Sequence, residues 1–146
     1  MSRVQLALNV SDIDAAVEFY SKLFATEPAK RRPGYANFAI AEPPLKLVLV
    51  EGGGVPGTMN HLGVEVETTD DVASAQQRLA ADGLVTAPED QVACCYALQD
   101  KVWVDAPDGE PWEIYTVLAD AGAELEGMAH LGANPVLPAG SACCAN

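Results

Sequence analysis

The chain is short of positive charge: eight Lys plus Arg stand against 21 Asp plus Glu, a formal charge of -13 on 146 residues. Such a surface repels phosphate backbones and anionic lipid, which argues against nucleic-acid and membrane-surface partners. Long apolar runs are missing too; none approaches the roughly 20 residues that a membrane span needs. The first residues show no basic start followed by an apolar run, so no signal peptide is expected, and the expected location is the cytoplasm. In that compartment the four cysteines should be thiols. They fall in two adjacent pairs, Cys94-Cys95 and Cys143-Cys144. Neighbouring cysteines are poorly placed to close an unstrained disulfide with each other, but well placed to grip one soft atom together.

What is present is an ordinary globular balance, 49% hydrophobic and 20% charged, in a length that suits one domain and not two. Val4 to Val10 alternates as a strand, with Val4, Leu6, Leu8 and Val10 on one side and Gln5, Ala7 and Asn9 on the other. Ser11 or Asp12 offers an N-cap to a helix whose stripe is Ile13, Ala16, Val17, Tyr20, Leu23 and Phe24. Three strands are predicted next, around Ala29-Arg32, Tyr35-Ile40 and Leu45-Val50. The segment EGGGVPG, Glu51 to Gly57, then reads as a linker.

Beyond the linker the same programme restarts. His61 to Val66 alternates, Thr69 or Asp70 caps a helix with the stripe Val72, Ala75 and Leu79, and Asp82-Gly83 ends it. Strands are predicted near Thr86-Val92, Lys101-Asp105 and Trp112-Val117, with a turn at Ala106-Pro107-Asp108-Gly109 before the last. A shift of 56 residues lays Gln5 on His61, Leu6 on Leu62 and Leu8 on Val64. The plan is therefore α+β: two βαβββ modules, residues 1–51 and 59–118, joined by a linker at 52–58. One copy cannot bury both faces of its sheet, so the two should pair around a cleft. Residues 119–146, rich in Ala, Gly and Pro, read as a mobile tail.

If the apolar side of each first strand faces its helix, Gln5 and His61 point the other way, into the cleft. Glu113 lies between the apolar Trp112 and Ile114 and should face the cleft as well. A carboxylate there is costly without a cation or hydrogen-bond partners. An amide oxygen, an imidazole and a carboxylate make a divalent-metal set, and three protein ligands leave coordination positions open. The equivalent of Glu113 in the first half falls near Lys46, which cannot ligate when protonated. Trp103, Trp112, Tyr115 and Phe38 are candidates for the cleft or the outer core. His130, in the tail, reads as solvated, and Cys143-Cys144 as at most a secondary metalloid trap.

The doubled βαβββ plan, the strand-borne His61 and the segment DAPDGEPWEIY resemble the vicinal oxygen chelate superfamily of glyoxalases and extradiol dioxygenases, over roughly residues 1 to 118. Within it, VQLALNVSDIDAAVEFYSKLFATEPAK and GYANFAIAEPPLKLVL resemble the arsenic-resistance C–As lyases and the closely similar cadmium-induced protein group, and Cys94-Cys95 fits their vicinal pair. That resemblance implies Gln5, His61 and Glu113 as iron(II) ligands and Cys94 and Cys95 as ligands of a trivalent organoarsenical, with dioxygen as co-substrate and arsenite as product. Methylarsonous acid and trivalent aromatic arsenicals are the implied substrates. Nickel, cobalt, manganese or zinc are the implied substitutes for iron, and the assembly is monomer or homodimer. The usual triad of this group is two histidines and a carboxylate, and Gln5 stands where the first histidine would be. Glutamine also ligates in glyoxalase I relatives, so a metal-dependent isomerase or thiol transferase is one alternative. A non-enzymatic cadmium- or arsenic-sequestering protein is another.

Overall fold

The computed structural model describes residues 1–94 and 96–120. Eight strands and two helices follow the order β1 (Arg3–Val10), α1 (Ile13–Phe24), β2 (Lys30–Arg32), β3 (Tyr35–Ile40), β4 (Leu45–Glu51), β5 (Met59–Glu65), α2 (Thr69–Ala81), β6 (Ala87–Cys94), β7 (Ala97–Asp105) and β8 (Pro111–Asp120). They form one curled sheet in the order β2-β3-β4-β1-β5-β8-β7-β6. The chain thus runs βαβββ twice, and the two copies meet along the antiparallel β1–β5 pair at the middle of the sheet. In each copy the last strand lies parallel to the first, β4 beside β1 and β8 beside β5.

Local chemistry fixes the helices. Asp12 accepts from the Ala15 N–H and caps α1, while Asp14 sits in the first turn against the positive end of the dipole. The second helix starts one residue earlier than the sequence predicts. Thr68 is its N-cap, bonded reciprocally with Asp71 in a capping box that satisfies two orphan donors at once.

The alternation of β1 sorts two cores. On the helix side, Leu6, Leu8 and Val10 pack with Ile13, Ala16, Val17, Tyr20 and Phe24 of α1 and with Phe38, Leu47 and Leu49 of the sheet. Leu23 is a departure from the expected stripe and lies 58% exposed on α1. On the concave face Ala7 packs with Tyr35, Val48 and Val50. The curl brings the far edges together: Lys30 Nζ of β2 donates to the Tyr96 carbonyl at 3.0 Å, and the Tyr35 and Tyr96 rings lie 5.4 Å apart. No helix among the described residues is long and apolar enough to cross a membrane.

Strand boundaries also differ from the sequence reading. The last strand continues to Asp120, past the expected end at Val117. Cys94 does not sit in a loop before a strand at Lys101. It is the last residue of β6 and pairs with Ala97, the first residue of β7, so the two strands make a tight hairpin. The tail expectations for His130, Cys143 and Cys144, and the role expected of Cys95, fall outside the described residues.

Candidate metal and substrate site

Strands β1, β5 and β8 are neighbours in the sheet, and each turns one polar side chain onto its concave face. Gln5, His61 and Glu113 meet there, 4%, 1% and 2% exposed. The parity argument is borne out. The Gln5 Nε2 atom lies 3.0 Å from His61 Nε2 and 2.7 Å from Glu113 Oε1, and His61 Nε2 lies 3.3 Å from Glu113 Oε1. Metal–ligand bonds of about 2.1 Å at right angles separate adjacent donors by about 3 Å. The triangle therefore has the spacing of one face of a six-coordinate ion. Gln5 turns its NH₂ into the triangle, while its Oε1 accepts from the Tyr115 hydroxyl at 2.5 Å. A half-turn of the amide exchanges the two atoms, presenting oxygen to a cation, and Tyr115, able to donate or accept, keeps its bond. The donor set fits a divalent metal.

A second ring of residues holds the three in place. Lys101, 1% exposed, donates to Glu113 Oε2 at 2.7 Å and lies over the Trp103 and Tyr115 rings, 5.3 and 5.9 Å from their centroids. Burial pushes the Glu113 carboxyl up, but its hydrogen bond to His61 and the Lys101 charge outweigh that and hold it at about 2. It is a carboxylate at neutral pH. Burial, with the Glu65 and Glu113 charges, raises the Tyr115 hydroxyl, which stays protonated. Asn60 gives its NH₂ to Asn9 Oδ1 at 2.9 Å and to the Gly53 carbonyl at 3.3 Å, so its Oδ1 faces His61 Nδ1 at 2.7 Å. This bond leaves His61 able to keep a proton on Nδ1 when a cation takes the place of the Nε2 proton, so Nε2 can then present its lone pair to the triangle. Trp103 packs edge-on against the same ring, 5.6 Å between centroids.

Gly63 makes the approach possible. A Cβ there would stand 3.0 Å from Glu113 Cγ and 3.1 Å from the Glu113 carbonyl. The sequence reading gives Lys101, Asn60 and Gly63 no part in the site. Glycine inside an alternating strand was the one signal available, since it marks close backbone approach. Among the other aromatics, Phe38 belongs to the helix-side core and Trp112 faces opposite to Glu113.

A cavity of about 210 Å³ opens beside the triangle, with Gln5 and Glu113 in its wall. Ala97 and Gln99, the first and third residues of the strand that follows the Cys94 turn, form another part of that wall. Gln99 donates to the Cys94 carbonyl at 3.3 Å, and its own Oε1 is buried without a hydrogen-bond partner among the described residues. The cavity thus links the triangle to the cysteine-bearing hairpin. Cys94 itself is 4% exposed and disulfide-bonded, where the composition predicts a thiol. Lys46, expected near the module-one equivalent of Glu113, lines the cavity. The register puts Val48 in the equivalent place, because Ala7 pairs with Val48 as Gly63 pairs with Glu113.

Known proteins resemble this chain in sequence and in fold. It is 65% identical over 122 residues, 83% of its length and 81% of the relative's, to a trivalent organoarsenical cleaving enzyme of Thermomonospora curvata. It is 62% identical over 130 residues, 89% of its length and 86% of the relative's, to the cadmium-induced protein CadI of Mycobacterium tuberculosis. In fold it resembles the Mn(II)-bound glyoxalase of Novosphingobium aromaticivorans, with a TM-score of 0.57 at 21% identity, covering 82% of this chain and 41% of that one. Residues 3–114 match the model of the glyoxalase/bleomycin resistance protein/dioxygenase superfamily, and with the paired βαβββ modules this places the chain in that superfamily, whose fold is the vicinal oxygen chelate fold.

Proposed function

We propose that the protein is an iron(II)- and dioxygen-dependent lyase that cleaves the carbon–arsenic bond of trivalent organoarsenicals, releasing arsenite. The observation that carries this reading is the Gln5–His61–Glu113 triangle opening into a cavity that reaches the Cys94 hairpin. Relatives named for organoarsenical cleavage, at 65% and 40% identity, support it. In this reading Gln5, His61 and Glu113 hold the metal, and Cys94 and Cys95 hold arsenic.

Trivalent arsenic is soft and prefers sulfur to oxygen. An organoarsenous acid bears one carbon and two hydroxyls. Each thiol gives its proton to a departing hydroxyl, two waters leave, and two As–S bonds form. Arsenic is then held at one orientation with its carbon presented to the cavity, which turns an encounter into a positioned reaction. When bound, iron(II) supplies the redox chemistry through which dioxygen oxidises the As–C unit. The chain's own residues do the positioning. Lys101 occupies Glu113 Oε2, leaving Oε1 to the triangle, Asn60 orients His61, and Tyr115 steadies the Gln5 amide. Cys94 must be reduced before it can bind arsenic.

The test is aerobic turnover of methylarsonous acid by the reduced, iron(II)-loaded protein, with arsenite as the readout. Arsenite should appear in air, stop without it, and fall below detection in Cys94→Ser or Cys95→Ser while metal content holds. Turnover that persists without dioxygen refutes the oxidative reading and favours a glyoxalase-type isomerase or thiol transferase. The 62% identity to a cadmium-induced protein favours one further reading, sequestration by the thiols alone. His61→Ala separates them: a sequestering protein keeps everything it does, and a lyase loses cleavage while still binding the arsenical.

A further inference from the structure

By composition the linker, residues 52–58, is a spacer, yet the structure builds it onto the polar groups behind His61. Its main chain is tied to β1 at Asn9. The Gly57 N–H donates to the Asn9 carbonyl and the Asn9 N–H to the Thr58 carbonyl, both at 2.9 Å. Side chains continue the tie. Thr58 donates its hydroxyl proton to the Val55 carbonyl at 2.5 Å, so its oxygen is left to accept from Asn9 Nδ2 at 3.0 Å. That turns Asn9 Oδ1 toward Asn60 Nδ2, at 2.9 Å, and Asn60 Oδ1 toward His61 Nδ1, at 2.7 Å. A main-chain carbonyl can only accept. Two of them, on Val55 and Gly53, therefore fix the direction of every bond in the chain, and the imidazole at its end meets an acceptor.

The fit is close. A Cβ on Gly54 would stand 2.8 Å from Asn9 Nδ2 and 3.2 Å from Asn9 Cγ. One on Gly53 would stand 2.8 Å from Val50 Cγ1 and 3.1 Å from both Asn60 Nδ2 and Asn9 Oδ1. Neither of these glycines takes a positive φ, whereas Gly52 and Gly57, at +77° and +83°, have nothing within 4 Å of where a Cβ would be. The outer two serve the turn. The inner two are free of that demand, and glycine is needed there because the linker backbone lies directly on the amides that orient His61. A passive spacer requires no such contact.

We propose that the linker is part of the support of the metal site: through Thr58, Asn9 and Asn60 it positions the His61 ring, so that metal affinity and linker order are coupled. This rests on a divalent metal at the Gln5–His61–Glu113 triangle, as in the lyase reading above. A ring held from behind loses less freedom when Nε2 takes a cation, and a cation that fixes the ring tightens the chain back to the linker. Such coupling is reciprocal, so it is measurable from either end.

The test titrates cobalt(II) into the metal-free protein and follows hydrogen exchange of residues 52–58 by mass spectrometry, with and without saturating cobalt(II). In the wild-type protein the metal should slow exchange in this segment severalfold. Thr58→Val keeps the size, removes the hydroxyl and leaves Asn9 able to turn. It should weaken cobalt(II) binding about tenfold, the lower end of the loss that removing an outer partner causes, and Thr58→Ser should restore it. Gly54→Ala, pressing on Asn9, should weaken binding by a similar factor. Gly83→Ala, strained by its φ of +86° just past α2, is the control for lost stability and should bind cobalt(II) as the wild type does. The nitrogen-15 shifts of His61 in the zinc(II)-loaded proteins should move in Thr58→Val and Gly54→Ala and stay in place in Gly83→Ala. Equal cobalt(II) affinity in the wild type, Thr58→Val and Gly54→Ala overturns the proposal. So does exchange in residues 52–58 that is the same with and without metal, a measurement that stands even if both variants fail to fold. If the wild type binds cobalt(II) and the variants bind it alike, this inference fails alone. If the wild type binds none, the metal reading of the triangle fails and this one with it.

Discussion

The two βαβββ modules share one backbone plan and have opposite interiors. Where module two carries His61, Gly63, Glu113 and Lys101, the register of module one places Gln5, Ala7, Val48 and Tyr35. At these four positions module two buries a carboxylate and an ammonium, both nearly sealed from water. The other offers one amide to the triangle, a small apolar cluster of Ala7, Tyr35, Val48 and Val50, and the wall of a cavity. Duplication supplies a symmetric cleft, and divergence at four equivalent positions gives one side a buried ion pair and the other a small apolar cluster.

The largest break in that asymmetry should come from Glu113→Ala. The variant leaves Lys101 buried and without its carboxylate, a change that costs about 3–5 kcal/mol in folded proteins, whereas Val48→Ala at the equivalent position removes only methyl groups. Urea unfolding of the metal-free proteins measures both. The effect has a pH signature. The Glu113 carboxyl is lowered from 4.5 to about 2, so its contribution is complete above the unfolded value and is lost as pH falls. The stability gap between wild type and variant should therefore narrow from about pH 4.5 downward and be mostly gone near pH 2. A gap that stays constant across that range would show that Glu113 gains nothing from Lys101 and His61.

Much of this was legible in the sequence. Period-two alternation in β1 and β5, together with the internal repeat, is enough to send Gln5 and His61 into one cleft, because strand parity is insensitive to errors of a residue or two at strand ends. Glu113 followed from the same parity. The hairpin around Cys94 was not legible. Tight hairpins are announced by Asn-Gly or Asp-Gly, and here Tyr96 takes the left-handed conformation, φ +61°, with neither signal beside it. Lys101 escaped for a different reason. A lysine that follows Gln99 and Asp100 reads as a solvent-facing position, and only the tertiary pairing shows that its partner is a carboxylate on the next strand.

Gly63 sharpens the comparison at a second position. Ala7, its equivalent, carries its methyl without conflict because Val48 lies opposite, and Ala7 is fully buried. The same methyl at residue 63 would press on the Glu113 side chain and carbonyl at 3.0 and 3.1 Å. Gly63→Ala should therefore destabilise the metal-free protein by about 1–3 kcal/mol, as overpacking does, although alanine is ordinarily the better strand residue. A thermal melt showing unchanged or raised stability would mean that Glu113 moves aside freely and that the triangle is softer than its spacing implies.

The smallest effect expected is also the most selective, because it leaves all three donors of the triangle in place. Counting back by the repeat, Asn60 corresponds to Val4, an apolar residue that is 48% exposed. Asn60 instead fixes the tautomer of His61 from behind, through a chain that runs to Asn9 and the Gly53 carbonyl. Asn60→Leu keeps the size and removes the acceptor, so the ring is free to turn or to place its proton on Nε2. Loss of such an outer partner weakens metal binding by about 10–100-fold, and titration of cobalt(II) into the metal-free protein should show a loss in that range with little change in the unfolding curve. Asn60→Asp retains an acceptor for Nδ1–H and should recover most of the affinity. If Asn60→Leu and the wild type bind cobalt(II) equally, His61 is oriented by its packing against Trp103 alone, and the hydrogen-bonded chain from the linker serves the fold and not the metal.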